Sequence, residues 1–280
     1  MSYKTILVAL DAGPRCAVRV ALAAGLAARH DSHLIGLAPT GLPDVIVSMN
    51  SLVPDAVECI QLSASFLRER AGNVARMFEE QAAAAGVRSF EARVAEDEPL
   101  DAVVRVGRCC DLVVVGQTDP RPSVEGVAGD FPQQVVLHTG TPVLIVPFAG
   151  SYAAPGQRVA IAWKGTREAA RALHDALPLL RSAARVVLLE IGENGAEAPP
   201  GDDAMRDARS WLGRHGIAAE ARFEPRSIDV GDAVLSLVSE LSSDLVVMGG
   251  YGHSRLREWV LGGATRQLLA QMTVPVLMSH

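Results

Sequence analysis

Gly249, Gly250 and Gly252 stand together near the end of the chain. After nine intervening residues come Gly262 and Gly263, then Ala264 and Thr265. These residue types suit one kind of chemistry. Without a Cβ the backbone reaches φ > 0, and a ligand can approach it closely. A short β-branched run, Leu245 to Met248, precedes the first glycine, and an apolar-periodic stretch opens at Ala264 and Thr265. A buried strand, a glycine loop and a helix N-terminus in that order make an anion cradle, because free N–H groups and the helix dipole both face the anion. Tyr251 and His253 lie between the glycines. His253 has no partner at metal-ligand spacing and no nucleophile near it in sequence, so it is assigned neither metal nor general-base chemistry. The chain carries no G-x-S-x-G, G-x4-G-K-[S/T] or H-E-x-x-H pattern. Binding is therefore expected rather than catalysis.

The elements that must position the cradle alternate in type. Strands are expected at Thr5–Leu10, His33–Ala38, Phe90–Val94, Leu112–Val115 and Val143–Val146, and again at Val159–Trp163, Val186–Ile191, Ala219–Phe223, Leu245–Met248 and Val276–Met278. Helices are expected between them, including Arg15–His30, a long one over Asp55–Ala85, Glu168–Leu180, Ala204–Arg214 and Ala233–Leu241. This rhythm means βαβ crossovers and parallel sheets.

The pattern is also duplicated. DLVVVG at residues 111–116 matches DLVVMG at 244–249, an offset of 133 (244 − 111), and Pro142-Val143-Leu144 matches Pro275-Val276-Leu277 at the same offset. At the front, the run from Gly13 to Arg19 matches Gly165 to Arg171 at an offset of 152 (165 − 13). The extra length of the first copy is expected in the residues from Pro39 to Pro54 and in the long helix after them. A Gly/Pro/Ala-rich segment, residues 148–157, joins the copies.

Bulk properties agree with two α/β domains. The 280 residues, 49% of them hydrophobic, suffice for two cores. A net charge of −6 and 4% aromatics argue against a nucleic-acid surface. No apolar run approaches the ~18–20 residues of a membrane span. Asp11 interrupts the N-terminal apolar run where a signal peptide would continue it, so a cytoplasmic protein is expected. Cys16, Cys59, Cys109 and Cys110 show no metal spacing and are expected as buried reduced thiols; the adjacent pair is poorly suited to chelate one ion, since even on a helix its side chains would point about 100° apart.

The spacing Gly249-x2-Gly252-x9-Gly262, together with the duplication, resembles the universal stress protein family, whose loop reads G-x2-G-x9-G-[S/T]. Gly263 departs from that pattern, and Thr265 falls where many members carry a second hydroxyl. The resemblance covers nearly the whole chain as tandem domains at 1–147 and 157–280. It implies two Rossmann-like domains, each a five-stranded parallel sheet ordered 3-2-1-4-5 with helices on both faces. It further implies ATP or another adenine nucleotide as ligand, with little or no hydrolysis and no metal beyond a nucleotide-associated Mg. In the family an acid ends strand 1 beside the ribose and adenine, and the loop after strand 4 takes the phosphates.

The first copy keeps the acid, Asp11. Its loop reads Gly116-x2-Asp119-x9-Gly129-Asp130, with Pro120, Pro122 and Pro132 lacking N–H donors. Like charges ~4 Å apart repel by about 1 kcal/mol in water and about 4 at an effective dielectric of ~20. This copy is therefore read as degenerate. The second copy keeps the loop, but at the offset of 152 Trp163 aligns with Asp11, and Lys164 follows. Trp163 either stacks on a purine or fills the pocket. Lys164, Arg255 and Arg257 either meet phosphate or stand as solvated cations. The expected binding set is Trp163, Lys164, Gly249, Gly250, Gly252, His253, Gly262, Gly263, Ala264 and Thr265.

Leu256, Trp259 and Val260 read as a short turn packed on the sheet. The last strand of each copy is an edge. The resemblance implies that the two edges pair antiparallel as an intramolecular pseudo-dimer, with homodimerisation of whole chains left open. Two other readings stand beside the nucleotide binder: an interaction module with both pockets empty, and an adenylate-forming or electron-transfer relative.

Overall fold

The apolar runs form the sheets. The computed structural model describes residues 2–41, 54–118, 130–152, 154–194, 203–226, 228–251 and 263–280. The chain divides into two compact units, Tyr3–Thr141 and Pro142–His280, the second including Met1–Ser2. In the first, β1 (Thr5–Ala9), β2 (His33–Pro39), β3 (Ser89–Ala95) and β4 (Leu112–Gly116) run parallel in the order β3-β2-β1-β4. Helices α1 (Cys16–His30), α2 (Pro54–Ala84) and α3 (Pro99–Gly107) make the crossovers, and α4 (Phe131–Thr139) follows β4. Ile6, Leu7 and Val8 of β1 and Leu112 to Val115 of β4 are inaccessible to solvent, as central strands covered on both faces must be. Edge strand β3 carries Glu91 and Arg93 partly in water.

The second unit repeats this plan. β6 (Arg158–Ala162), β7 (Arg185–Asn194), β8 (Ala219–Arg226), β9 (Leu245–Gly249) and β10 (Val276–Ser279) are parallel in the order β8-β7-β6-β9-β10. The helices are α5 (Arg167–Asp175), α6 (Leu177–Leu180), α7 (Asp203–Arg214), α8 (Val230–Glu240) and α9 (Gly263–Gln271). β5 (Val143–Val146) ends the first repeat in sequence but belongs by contact to this unit. It lies antiparallel on β10, with Val276 opposite Ile145 and Met278 opposite Val143.

The repeated Asp of the DLVV motif has a structural task in both units. Asp111 Oδ2 accepts the N–H groups of Lys4 (2.6 Å) and Thr5 (2.9 Å), which fixes the start of β1. The Asp244 carboxylate accepts those of Gly156, Gln157 and Arg158, each at 3.0 Å, and fixes the start of β6. Both lie at the strand N-termini, away from the end where such sheets bind ligands.

The extra length of the first copy is confirmed in its second helix: α2 has 31 residues and its counterpart α7 has 12. Phe78 of α2 is fully buried against Phe90, and a Cβ on Gly36 of β2 would stand 2.6 Å from its ring.

Two expectations need correction. The single helix over Glu168–Leu180 is two, α5 and α6, parted at Ala176. Pro178 has no N–H to continue the α5 ladder and sits instead in the first turn of α6. The thiols are not uniformly buried: Cys109 is exposed, and Cys16 and Cys110 are half-buried. Cys109 and Cys110 follow the end of α3. Burial pushes the Cys110 thiol up to about 11, with neighbouring Cys109 adding to the effect.

Candidate functional site

In both units the strand order reverses between the first and fourth strands of the repeat, β1 beside β4 and β6 beside β9. A crevice beyond the strand C-termini at that reversal is where such sheets hold ligands. The two crevices are built from equivalent elements and filled differently.

In the first unit Arg19 of α1 crosses this position. Its Nε donates to the Ala9 carbonyl at the end of β1 (2.7 Å), and its Nη2 donates to Asp11 Oδ2 (2.5 Å). A Cβ on Gly116, the last residue of β4, would stand 2.6 Å from Arg19 Nη1. The Arg19 side chain is 4% exposed and that of Asp11 42%. The other Asp11 oxygen accepts the Gly13 N–H (2.8 Å). Both oxygens of the acid that ends β1 therefore have a partner within the protein, and a guanidinium lies over the end of β4. At the start of α4, Asp130 occupies the N-cap position and accepts from Gln134 Nε2 (2.8 Å), while Pro132 sits in the first turn without a donor. Sequence reasoning passed over Arg19. Its signal was its place at i, i+3, i+7 with Leu22 and Leu26, all three buried.

The second unit corrects the alignment of the copies. Ile6 pairs with Leu112, and Val159 pairs with Leu245, its counterpart. β1 therefore maps onto β6 at an offset of 153 (159 − 6), not 152. Lys164, rather than Trp163, stands where Asp11 stands, and Trp163 matches buried Leu10. α1 begins at Cys16 and α5 at Arg167, so four residues connect β6 to α5 where six connect β1 to α1. An acid in one copy is a lysine in the other.

Lys164 is exposed, and it makes no ion pair among the described residues. Gly165 follows at φ +62°. The Trp163 backbone N–H donates to Leu189 O (2.8 Å), while its buried indole Nε1 has no hydrogen-bond partner among the described residues. Arg171, the counterpart of Arg19, turns outward and pairs with Asp175 four residues on (2.8 Å).

With the shorter connection, the helix backbone itself covers the end of β9. A Cβ on Gly249 would stand 2.4 Å from Ala169 N and from Glu168 C. Gly249 is thus needed for helix-on-strand contact. The Gly250 N–H donates to Ser279 O (2.9 Å), so that donor is engaged within the protein. Thr166 caps α5 by accepting the Ala169 N–H (3.3 Å). Glu168, also missed from sequence, is 2% exposed in the first turn of α5 and pairs with Arg167. Burial pushes its carboxyl up, but the Arg167 guanidinium, its own backbone N–H and the Thr166 hydroxyl outweigh that and hold it below the ordinary range.

Gly263 and Ala264 open α9, and Thr265 is buried in its first turn. Gly252, His253 and Gly262 lie outside the described residues, as do Asp119, Pro120, Pro122, Gly129, Arg255, Leu256, Arg257, Trp259 and Val260. Among the described residues no three His, Cys, Asp or Glu side chains converge on a metal position, and no helix is long and apolar enough to cross a membrane.

Comparison with known proteins agrees with this architecture. The profile of the Universal stress protein family matches residues 2–147 and again residues 156–280. A universal stress protein of Synechocystis sp. is 39% identical over 46 residues, which cover 16% of this chain and 16% of that protein. The crystal structure of a universal stress protein from Archaeoglobus fulgidus superposes with a TM-score of 0.71 at 15% identity, over 98% of this chain and 95% of that one. A functionally unknown protein from Pseudomonas aeruginosa superposes with a TM-score of 0.60 at 14% identity, over 99% and 92%. At such identities the superpositions establish the fold.

Proposed function

We propose, for a chain that belongs to the universal stress protein family, that it binds ATP or a related adenine nucleotide in its second repeat only, with little or no hydrolysis. The observation that carries this is the asymmetry at the two strand reversals. In the first, Arg19 and Asp11 neutralise each other across the crevice. In the second, Arg171 has turned away, Lys164 is exposed, and the buried Trp163 indole N–H has no acceptor among the described residues. Burying a donor unpaired is costly, so the site favours an acceptor brought by a ligand. The proposed contacts are Trp163, Lys164, Gly252, His253, Gly262, Gly263, Ala264 and Thr265. Gly249 serves by letting α5 close on β9. Any Mg would arrive with the nucleotide.

A second reading, an interaction protein with both pockets empty, is favoured by one observation: the first turn of α5 lies directly over Gly249. Isothermal titration of the full chain with ATP separates the two. Saturable heat that is abolished by Gly252→Asp and retained by Arg19→Ala supports the nucleotide site. No heat in the wild type refutes it and leaves the interaction protein. Phosphate release over time tests for turnover.

We further propose domains at residues 1–147 and 157–280, joined as a pseudo-dimer through their last strands. The antiparallel register of β5 on β10 and the two family matches support this. Light scattering would establish whether whole chains pair as well.

A further inference from the structure

We propose that Cys109 and Cys110 form a dithiol site that small-molecule disulfides oxidise to a disulfide between the two adjacent residues. The pair precedes β4, at the end of the sheet opposite the strand C-termini, so the proposal does not depend on the nucleotide reading.

The local chain makes the two thiols unlike. α3 ends at Gly107 and a tight turn follows, in which the Cys109 N–H donates to Val106 O (3.2 Å) and the Cys110 N–H to Gly107 O (3.0 Å). Cys109 is exposed. Cys110 is half-buried, and its Sγ donates to Val106 O (3.4 Å). Exposure makes Cys109 the thiol that an incoming reagent meets. Its thiolate attacks one sulfur of the small disulfide, the reagent's S–S bond breaks, and one small thiolate leaves and takes up a proton. Cys109 then carries a mixed disulfide.

Its neighbour completes the reaction. Burial keeps the Cys110 thiol protonated, the Cys109 charge adds to that effect, and the Arg93 guanidinium opposes it. Capping of Cys109 removes its charge and with it that contribution. A thiol of high pKa is a strong nucleophile once ionised, and adjacency makes its attack intramolecular. Cys110 gives up its proton, its sulfur bonds to Cys109 Sγ, and the second small thiolate departs and is protonated. Two protein thiols have lost two hydrogens, and one small disulfide has become two thiols.

The product is labile. Adjacent Cα atoms stand about 3.8 Å apart, closer than the roughly 4.4–6.8 Å usual for a disulfide. Closure therefore strains the peptide between the two residues, whose N–H is the one bonded to Gly107 O. A strained disulfide is readily reduced. Asp111 comes next in the chain. Its N–H donates to Thr5 O (2.9 Å), and its carboxylate accepts the N–H groups of Lys4 and Thr5. The closed ring pulls on the residue that fixes the start of β1, so the oxidation is reversible and is felt in the fold.

The test is incubation of the full chain with oxidised glutathione at pH 8, alkylation of the remaining thiols, and tryptic mass mapping without reduction. Cleavage after Arg108 releases a peptide that begins at Cys109 and contains neither Cys16 nor Cys59. In the wild type this peptide should escape alkylation, be two hydrogens lighter than its reduced form and carry no glutathione, and dithiothreitol should restore it. Cys110→Ser should instead retain one glutathione on Cys109, and Cys109→Ser should leave Cys110 reduced over the same exposure. The Lys4 and Thr5 amides should exchange hydrogen faster in the oxidised wild type than in the reduced protein. A peptide that stays reduced, keeps glutathione, or is joined to Cys16, Cys59 or a second chain overturns the proposal. Oxidation of Cys110 in Cys109→Ser as fast as in the wild type overturns the role of Cys109 as the attacking thiol. Unchanged exchange at Lys4 and Thr5 overturns the link to β1.

Discussion

Arginine 19 provides the most demanding test of how the first repeat is built. Arg19→Ala removes a charged donor from the Ala9 carbonyl (2.7 Å) and a partner from Asp11 (2.5 Å). A hydrogen bond from a charged group to a buried acceptor contributes about 1.5–3 kcal/mol. Asp11 is 42% exposed, so water screens the ion pair and it adds only about 1 kcal/mol. The expected loss is about 3 kcal/mol. Arg19→Met keeps most of the apolar stem and should lose about 2. The second repeat supplies the control. Arg171 holds the same helix position but sits in an exposed i, i+4 pair with Asp175, so Arg171→Ala should cost about 0.3–0.5 kcal/mol. Urea unfolding followed by circular dichroism measures all three, fitted without assuming one transition, because the chain holds two units. A loss below about 1 kcal/mol for Arg19→Ala, or equal losses for Arg19→Ala and Arg171→Ala, would refute the reasoning.

Three other outcomes are expected. Gly249→Ala should destabilise by about 2–4 kcal/mol and exceed Gly116→Ala, because its Cβ meets helix backbone at 2.4 Å whereas the Gly116 Cβ meets the tip of Arg19; equal losses would remove the distinction. The Glu168 carboxyl is held below its unfolded value, so its stabilisation is full above about pH 4.5 and disappears as pH falls through the folded value. The stability gap between wild type and Glu168→Gln should accordingly be flat near neutrality and shrink in acid; a gap that widens in acid contradicts the assignment. Cys109 is exposed while Cys110 titrates at about 11. At pH 8 only roughly one Cys110 in a thousand is thiolate. A disulfide reagent should therefore modify Cys109 first, and Cys109→Ser should abolish the fast phase, as read by peptide mass mapping.

Much of the fold was readable because parallel strands covered on both faces are short apolar runs with nothing to disguise them. The bounds of α2 fell within one residue at each end, Asp55–Ala85 expected against Pro54–Ala84 observed. The repeat unit was readable because DLVV recurs, and the structure gives its Asp a reason in the backbone N–H groups it receives. The site was less legible. Matching Arg15-Cys16-Ala17 to Arg167-Glu168-Ala169 aligned the helices, but the strand before them differs in phase by one residue. Ala9 and Ala162, identical and each last in its strand, match at the strand offset of 153, a signal that the longer helix match outweighed. Arg19 looked like a surface arginine in an alanine-rich helix. Only its spacing from Leu22 and Leu26 set it on the buried stripe.

The difference in the length of that connection links the remaining asymmetries. In the first repeat six residues, 10–15, connect β1 to α1; in the second, four residues, 163–166, connect β6 to α5. The longer connection leaves space over Gly116, and the Arg19 guanidinium enters it. A buried cation needs a counter-charge, and Asp11 provides it at the strand end. The shorter connection draws the helix backbone over Gly249, leaving no room for a side chain there. The matching arginine then has no cavity to enter and pairs along its own helix with Asp175. With no buried guanidinium to neutralise, the second repeat has no structural need for an acid after β6, and Lys164 occupies that position. Loss of the acid there follows from how the helix meets the strand, so it does not by itself argue against a ligand. It changes the charge that a ligand would meet.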